Sequence, residues 1–456
     1  MKHDGGARRA RLPFESILGR SIRVRRRRVL VGAAGCVLLI AVGTAGITSA
    51  SAVRGHAPNR LPAPPPSAAT PAHPSPIASP AAPQGSAQGN QANTSDQPAW
   101  QQMPSQISDV VSQFLSDQGA AGVAVAVSTG GSASSGGSAR YVTTQGNASD
   151  GVAWSTDTRS AFRSITKSFV GTVVLQLVSE GKLGLDDPVS RYVPDVASVQ
   201  YDGSGVGSSI TVRMALEMRT GLPEFSATQG FSDQLNTDYT APFTDDQLLG
   251  YAFAQPLDFA PGSQYEYSNT NFVLLGKVIQ AVTGNSWDQE VQSRLLSPLG
   301  LASVGYSGSS DPTPPVATPY EIDSASNLES LAQVSPSLYG ASGGLFGNIG
   351  DLLRWGTALG SGQFLPASLQ QQRFTAVSSP GSDDPQSPEY DAYGLAAGEL
   401  DGWWGHTGTG LGYESLTMYQ PSTGTTVAIL LNTQLPNPNG PAILFRQIEA
   451  SLSSLG

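Results

Sequence analysis

The chain has 456 residues, only 13% of them charged, and it is rich in glycine (52) and proline (33), so part of it is not expected to fold compactly. Its net charge of −10 combines a basic first 60 residues (+10) with an acidic remainder (−20), and an acidic body repels nucleic acid. Only one of the four histidines, His406, lies beyond residue 73, which excludes a multi-histidine zinc site.

A basic segment followed by an apolar segment lies near the start of the chain. Residues 23–28 read RVRRRR, and residues 29–47 form an apolar run near the minimum length for crossing a bilayer. The basic flank favours an uncleaved anchor with a cytoplasmic amino terminus, whereas the small residues before Ala52 also allow a signal peptide cleaved there. Two alternatives carry less weight: a lipid-modified Cys36 and a buried soluble helix.

Proline then marks a linker. Eleven of the 33 prolines fall between residues 58 and 98, which excludes a helix and predicts an extended spacer across a cell wall. The predicted organisation is a basic tail or signal n-region (1–28), an anchor or signal peptide (29–52), a disordered linker (53–102) and a folded domain (103–456). We expect an extracellular domain on a single-pass anchor, or a secreted one if the segment is cleaved.

The folded region has strand patterns near both ends and helical patterns around and between them. Alternating or buried apolar runs predict strands at 122–129, at 139–149 and on either side of a turn at 421–424. Helical apolar spacing occurs at 107–117, 165–180, 270–283 and 440–455. This order predicts an α+β sandwich: an antiparallel sheet built from both termini, flanked by helices, with an inserted and mainly helical subdomain.

The first candidate for chemistry is an S-x-x-K motif, Ser164 to Lys167, where the apolar run at 165–180 begins. Positions i and i+3 share one face of a helix, so the lysine can reach the serine hydroxyl and take its proton. The helix amino terminus also lowers the cost of negative charge. The alternative is that Ser164 only caps a buried helix. A second match at 179–182 lies at the end of its helix and is discarded.

Two later motifs favour the chemical interpretation. Y-S-N at 267–269 precedes a predicted helix, and H-T-G at 406–408 precedes the terminal hairpin. Tyr267 could accept the serine proton if nearby cations depressed its pKa, and Asn269 could orient a substrate amide. The small residues after His406 would let the strand backbone approach an acyl group closely. Alone, each motif is typical of a cap or a turn; together and in this order they are far more specific.

The three motifs resemble those of the serine β-lactamase and penicillin-binding family, in the branch of class C β-lactamases, secreted DD-carboxypeptidases and related esterases. The likeness spans roughly residues 105–450 and includes GKLGLDDPVSRYVPD, FAPGSQYEYSN and GASGGLFGNIGDLLRW. It implies an acyl-enzyme mechanism without metal or organic cofactor. The implied roles are Ser164 as nucleophile, Lys167 as its proton partner, Tyr267 as general base and then acid, Asn269, His406, Thr407 and Gly408 as substrate contacts, and the N–H groups of Ser164 and Thr409 as oxyanion hole.

A competing nucleophile lies at 340–344, where GASGG fits the G-x-S-x-G elbow of α/β-hydrolases. That elbow needs a strand before the serine and a helix straight after it, whereas here the strand signal is weak and the helix is delayed. The resemblance instead implies that Ser342 belongs to a turn of the substrate cleft.

Several positions depart from the family pattern. His406 stands where many β-lactamases have lysine, and a histidine is mostly neutral above its usual pKa of about 6.5. No Arg or Lys lies between Arg373 and Arg446, so the final strands offer no further cation for a terminal carboxylate. Met218 and Arg219 replace a His-Thr pair that relatives tend to show.

The expected function is therefore a serine hydrolase acting on small peptide, ester or β-lactam substrates. D-Ala-D-Ala peptides come first, and small esters or other D-amino-acid peptides follow. The alternative is a penicillin-binding sensor or wall-peptide receptor with slow or no turnover. We expect a monomeric catalytic domain, contact with a membrane through residues 29–47 and no nucleic-acid partner.

Overall fold

The computed structural model describes residues 99–130, 140–308, 312–323, 326–331, 334–375, 377–378, 390–437 and 439–454. The predicted tail (1–28), the anchor or signal peptide (29–52) and residues 53–98 of the linker lie outside the described residues. The last four linker residues, 99–102, already belong to a helix. Among the described helices, none has the length and apolar character that a membrane crossing requires.

The helices of the described residues are α1 (Ala99–Gln118), α2 (Thr166–Ser179), α3 (Val212–Leu216), α4 (Gln229–Thr237), α5 (Asp245–Phe253), α6 (Thr270–Thr283), α7 (Trp287–Val291), α8 (Ser297–Leu299), α9 (Ile349–Gly360), α10 (Ala367–Arg373) and α11 (Gly440–Ser453). The strands are β1 (Gly122–Ser128), β2 (Arg140–Ser149), β3 (Val152–Ala153), β4 (Ser160–Ala161), β5 (Gln200–Tyr201), β6 (Ser204–Gly205), β7 (Gly305–Tyr306), β8 (Tyr320–Ile322), β9 (Leu328–Ser330), β10 (Leu345–Gly347), β11 (Ala392–Tyr393), β12 (Gly398–Leu400), β13 (Trp403–Gly410), β14 (Tyr413–Gln420), β15 (Thr425–Leu431) and β16 (Thr433–Gln434).

The main sheet has eight antiparallel strands in the order β11-β12-β13-β14-β15-β1-β2-β3. Strands from the two ends of the folded region meet at its centre, where Val125 of β1 lies opposite Ile429 of β15. Successive side chains of a strand point to opposite faces, and β1 is buried from Gly122 to Val127, so helices cover both faces. This confirms the predicted α+β architecture with a sheet built from both termini.

Helix α9 packs on the central strands β14, β15 and β1, and the terminal helices α1 and α11 pack on each other and on the sheet. Gly356 allows the close approach of α9, because a Cβ there would lie 2.0 Å from the Thr417 hydroxyl oxygen. The apolar faces of these helices and of the strands form one continuous core.

Helix α2 is held deep in this core. Its residues from Thr166 to Leu175 are buried, the Phe169 ring stacks on Trp355 of α9 at a centroid distance of 3.7 Å, and the Trp355 indole N–H donates to Ser168 Oγ at 2.9 Å. A single 3₁₀ turn, Arg163–Ile165, precedes it. Ser164 therefore lies in a tight turn on a rigid support, and its hydroxyl makes no helix-capping hydrogen bond.

Most predicted boundaries agree with the structure to within one or two residues. Helix α6 is followed by Gly284, whose φ of +81° gives a left-handed C-cap. Helix α1 is the exception, because it begins at Ala99 and not near Ile107. Pro104 lies inside this helix, in its second turn, where it cannot donate the i→i−4 hydrogen bond that other residues make.

Candidate active site

The turn that carries Ser164 is fastened from two sides. The Phe162 N–H donates to the Leu345 carbonyl at 2.8 Å. Arg163 has a φ of +50°, a left-handed conformation that is uncommon and strained for residues other than glycine. Its side chain donates to the Gly410 carbonyl at 2.9 Å. The strained backbone is thus held by tertiary contacts, and it presents Ser164 beside the β13–β14 hairpin.

The Arg163 guanidinium is also enclosed by aromatic rings. It lies 5.0 Å from the ring centre of Tyr339 and 5.1 Å from that of Tyr413, within the range of cation–π attraction. Two main-chain carbonyls and these two rings thus contact the guanidinium, and they hold the side chain of the turn in place.

Lys167 lies beneath Ser164 with no exposed surface. Its Nζ is 2.9 Å from Ser164 Oγ, 2.6 Å from Asn269 Oδ1 and 2.8 Å from the Ser342 carbonyl oxygen. Burial lowers the pKa of Lys167 to about 7, although the negative charge of Glu224 partly opposes this effect. At neutral pH a large fraction of this amine is unprotonated, and an unprotonated amine can accept the Ser164 proton.

Tyr267 lies beside the same pair, with the Lys167 Nζ 4.9 Å from the centre of its ring. Burial raises the pKa of Tyr267 well above its usual value, so the condition for a tyrosinate base is not met. The Ser164 hydroxyl lies close enough to lower this pKa slightly, but the geometry falls short of a hydrogen bond, and the Tyr267 hydroxyl has no hydrogen-bond partner among the described residues. A protonated phenol in this position is suited to donate a proton.

Asn269 is held at both ends by other side chains. Its Oδ1 accepts from Lys167, its Nδ2 donates to Glu224 Oε1 at 3.2 Å, and its main-chain N–H donates to Glu224 Oε2 at 2.5 Å. The predicted contact with a substrate amide therefore competes with bonds inside the protein. Glu224 is a site residue that the sequence motifs do not indicate, since it lies 45 residues before Asn269.

His406 is buried with no exposed surface, between two tyrosines. Its Nδ1 lies 2.6 Å from the Thr407 carbonyl oxygen, which can only accept, so Nδ1 carries the proton. Its Nε2 then accepts from the Tyr393 hydroxyl at 3.1 Å. Burial, and secondarily the charge of Lys167, lower the pKa of His406 to about 3, so the ring is neutral at physiological pH. It offers a substrate neither charge nor exposed surface.

Thr407 is the half-buried member of the H-T-G motif. The Tyr390 hydroxyl accepts its main-chain N–H at 2.7 Å and lies 2.9 Å from its Oγ1 and 3.1 Å from His406 Nδ1. This phenol takes the place of a neighbouring strand, because β12 ends its pairing with β13 at Gly405. Tyr390 and Tyr393 are further site residues that the sequence motifs do not indicate.

Gly408 brings β13 against the nucleophile turn. A Cβ at this position would lie 2.3 Å from the Phe162 carbonyl oxygen, 2.5 Å from Ser415 Oγ and 2.9 Å from the Arg163 Cβ. Real Cβ contacts do not occur at such distances. The absence of a side chain at Gly408 thus allows β13 to pack closely against the turn that carries Ser164, and the approach of this strand to an acyl group stays a prediction.

The register of the β13–β14 hairpin determines the direction of the Thr409 N–H. Gly410 and Tyr413 flank a two-residue turn, so they form a hydrogen-bonded pair, and such pairs alternate along the ladder. The N–H groups of Thr407 and Thr409 consequently point away from β14, toward the edge that β12 does not reach. The Thr409 N–H therefore points away from β14, and its part in an oxyanion hole stays a prediction.

Ser342 is fully buried, and its hydroxyl donates to the Tyr339 carbonyl at 2.6 Å. It lies in a 3₁₀ turn, Gly340–Ser342, that leads into strand β10 and not into a helix. The G-x-S-x-G match is thus no nucleophile elbow. Ser342 contributes to the site through its carbonyl oxygen, which Lys167 contacts.

Met218 and Arg219 have structural contacts. Met218 adopts a φ of +58°, and its carbonyl accepts the Glu266 N–H at 3.0 Å. The Arg219 carbonyl accepts the Gly262 N–H at 2.8 Å, and its side chain donates to the Gly262 carbonyl. These bonds hold the segment that leads to Tyr267.

The fold and the buried serine–lysine pair define a serine hydrolase with an α+β sandwich. The Beta-lactamase family model matches residues 107–451, which is more than half of the chain, and the protein therefore belongs to the Beta-lactamase family.

Comparisons with individual proteins agree with this assignment. A D-stereospecific amidohydrolase from Streptomyces sp. is 29% identical, with a TM-score of 0.64 over 76% of this chain and 98% of that enzyme. The D-amino acid amidase of Ochrobactrum anthropi SV3 is 21% identical, with a TM-score of 0.65 over 77% and 99%, and shares the fold. Protein flp of Staphylococcus aureus (strain N315) is 30% identical over 190 residues, which are 40% of this chain but only 36% of that protein.

Proposed function

We propose that this protein hydrolyses amides of D-amino acids through an acyl-enzyme at Ser164. The observation that carries the proposal is the 2.9 Å contact between Ser164 Oγ and the buried Lys167 amine, whose pKa is about 7. A serine is a weak nucleophile at its ordinary pKa, and a neighbouring unprotonated amine activates it.

The reaction follows from the positions of these groups. The Ser164 hydroxyl attacks the substrate carbonyl carbon while Lys167 takes its proton. The N–H groups of Ser164 and Thr409 stabilise the oxyanion. The protonated Tyr267 then donates to the departing amine, and Lys167 returns the proton to Tyr267. Water attacks the acyl group with proton transfer to the same groups, which releases the acid and restores the Ser164 hydroxyl.

The charges around Ser164 support a substrate without a terminal carboxylate. Two cationic side chains lie beside Ser164 in the described part of the chain. Lys167 contacts three hydrogen-bond acceptors, and Arg163 donates to two main-chain carbonyls. His406 is neutral. A D-Ala-D-Ala peptide would thus find no available cation for its carboxylate in this part of the cleft. The name of the 29% identical Streptomyces enzyme, a D-stereospecific amidohydrolase, supports the same substrate class.

D-Ala-D-Ala carboxypeptidase activity is the second candidate, on the strength of the three motifs. We propose to compare D- and L-phenylalanine amide, an N-acylated D-Ala-D-Ala dipeptide, p-nitrophenyl acetate and a fluorescent penicillin with the purified full chain. We expect turnover of the D-amide and the ester, and little of the L-amide or the dipeptide. Faster turnover of the dipeptide would favour the carboxypeptidase. Permanent penicillin labelling without turnover of any substrate would favour a sensor.

Ser164→Ala is the decisive variant. It should abolish acylation and leave the fold intact, as circular dichroism and thermal unfolding will show. Retained turnover by this variant would contradict the proposal.

We further propose that residues 1–52 export or anchor the protein, with the hydrolase domain outside the cell. The basic segment and apolar run of the sequence support this. Deletion of residues 1–52 should yield an active protein in the soluble fraction. Continued association with membranes after this deletion would refute the anchor.

A further inference from the structure

Among the described residues, Glu224 is the acidic group closest in the hydrogen-bond network to the proposed catalytic pair. It is half-buried, and it precedes the 3₁₀ turn Phe225–Ala227, where its Oε1 accepts from the Ser226 N–H at 3.3 Å and hydroxyl at 2.8 Å. The same carboxylate accepts the main-chain N–H of Asn269 and a hydrogen bond from its side-chain Nδ2. It therefore fixes the position and the orientation of that residue.

The orientation matters because the ends of an asparagine amide are chemically opposite. One end is an acceptor and the other a pair of donors. With Nδ2 directed to the Glu224 carboxylate, Oδ1 faces the Lys167 amine at 2.6 Å. A rotation by half a turn would direct the N–H donors to Lys167 and the carbonyl to the carboxylate. The carbonyl oxygen would then repel the Glu224 carboxylate, and the N–H donors would repel a protonated Lys167. Glu224 therefore selects one of the two orientations.

We propose that Glu224 is a positioning residue that acts through Asn269 to orient the Lys167 amine toward Ser164. The inference deepens the proposed hydrolase function and rests on it. Glu224 does not touch the reacting atoms. It forms the outer end of a hydrogen-bonded series in which Glu224 holds Asn269, Asn269 holds Lys167, and Lys167 contacts Ser164.

The series also has an electrostatic consequence. In the part of the chain that the structure describes, the groups around Lys167 are Ser164 on the preceding turn, Tyr267 and Asn269 before α6, the Phe272 ring on α6, the Ser342 carbonyl, His406 on β13, and Glu224. Of these, Glu224 alone is negatively charged, because burial keeps Tyr267 protonated and His406 neutral. Its charge raises the pKa of Lys167 against the effect of burial. Without it, that pKa should fall below about 7.

The titration of Lys167 tests this proposal directly. The chain has only four lysines, so ¹³C labelling at lysine Cε of the full chain gives few resonances, and Lys167→Arg identifies the one of interest. We expect Glu224→Gln to lower the titration midpoint of Lys167 by about half a unit to one unit, since the charge acts across an intervening residue. Glu224→Asp, which keeps the charge, should leave the midpoint close to that of the wild type. This measurement does not depend on catalytic activity.

The pH dependence of ester hydrolysis provides the second readout. With p-nitrophenyl acetate, Glu224→Gln should reduce kcat about tenfold or more, because a misoriented amine is a poorer base, and move the acid limb to lower pH. KM should change little. Glu449→Gln is the matched control, since this glutamate lies on the terminal helix α11 and accepts from Ser453. It should leave both the titration and the rate unchanged.

The outcomes separate this proposal from the proposed function. An unchanged Lys167 midpoint in Glu224→Gln overturns the role of Glu224, whether or not the variant is less stable. A shifted midpoint combined with unchanged kcat overturns the positioning role also. If Ser164→Ala hydrolyses the ester as fast as the wild type, the proposed function fails, while the titration still reports on the link between Glu224 and Lys167.

Discussion

Gly408→Ala is expected to separate the nucleophile turn from strand β13. The added methyl group would lie 2.3 Å from the Phe162 carbonyl oxygen, whereas ordinary van der Waals contact begins at 3.4 Å. Strand and turn must therefore move apart by about 1 Å. Ser415 cannot relieve the contact by rotation alone, because its hydroxyl donates to the same carbonyl at 2.8 Å.

The displacement should cost both stability and activity. Overpacking of a well-filled core lowers the free energy of unfolding by about 1–3 kcal/mol. A shift of about 1 Å between Ser164 and the Thr409 N–H on the same strand should reduce the acylation rate by about 100-fold. The larger effect is expected on the rate, because the clash lies at the junction between the two N–H groups proposed to bind the oxyanion.

Pre-steady-state release of p-nitrophenol measures the acylation rate, and urea unfolding measures the stability. Gly250→Ala in helix α5 is the matched control, since no atom lies within 4 Å of the added Cβ. It should leave the rate unchanged and stabilise the helix by about 0.5–1 kcal/mol. A Gly408→Ala protein with wild-type acylation and stability would refute the close packing of β13 against the nucleophile turn.

Three other predictions concern single residues. Arg163→Gly keeps a left-handed backbone without strain but loses the side-chain anchor, so acylation should slow, and an unchanged rate would contradict the anchoring role. Arg163→Ala loses the same anchor but keeps the backbone strain that Arg163 already bears, so urea unfolding should show it to be about 1–2 kcal/mol less stable than the glycine variant. Ser342→Ala should acylate like the wild type in the p-nitrophenol burst, because Lys167 contacts the main-chain carbonyl of residue 342; a lost burst would restore Ser342 as a candidate nucleophile. As the pH falls from 6.5 to 3, His406 should lower the free energy of unfolding by about 1.4 kcal/mol per pH unit, because the unfolded chain binds a proton there that the folded chain excludes. Urea unfolding of His406→Gln should lack this contribution to the pH dependence, and an equal pH dependence in both proteins would disprove it.

The elements of this fold could be predicted where the apolar pattern is local. The apolar period and the turn residues predict strands β1, β2, β14 and β15 and helices α2 and α6. The reason is that the buried face of a strand or an amphipathic helix repeats at a fixed spacing among neighbouring residues. The start of α1 was not, since Pro104 interrupts the pattern that a helix would show. The short strands β11 and β12 carry too few residues for any period to be seen.

The candidate site divides in the same way. Ser164 and Lys167 are one helical turn apart, so their contact is a local property of the sequence. The Y-S-N and H-T-G motifs were found by their order and type, and the structure brings Tyr267 and Asn269 to the pair. The sequence also indicates His406 as a site residue but does not predict its burial. The two tyrosines that enclose it lie in β11 and just before that strand, not in the H-T-G motif.

By itself, the sequence determined the longer strands and helices, the serine–lysine pair and the family to which the motifs point. Only the tertiary structure decided the charge of the site. Burial lowers the pKa of Lys167 and keeps Tyr267 protonated and His406 neutral, and among the described groups around Lys167 the negative charge comes from Glu224. These properties depend on desolvation and on neighbours that are distant in the chain, and no short stretch of the sequence predicts either.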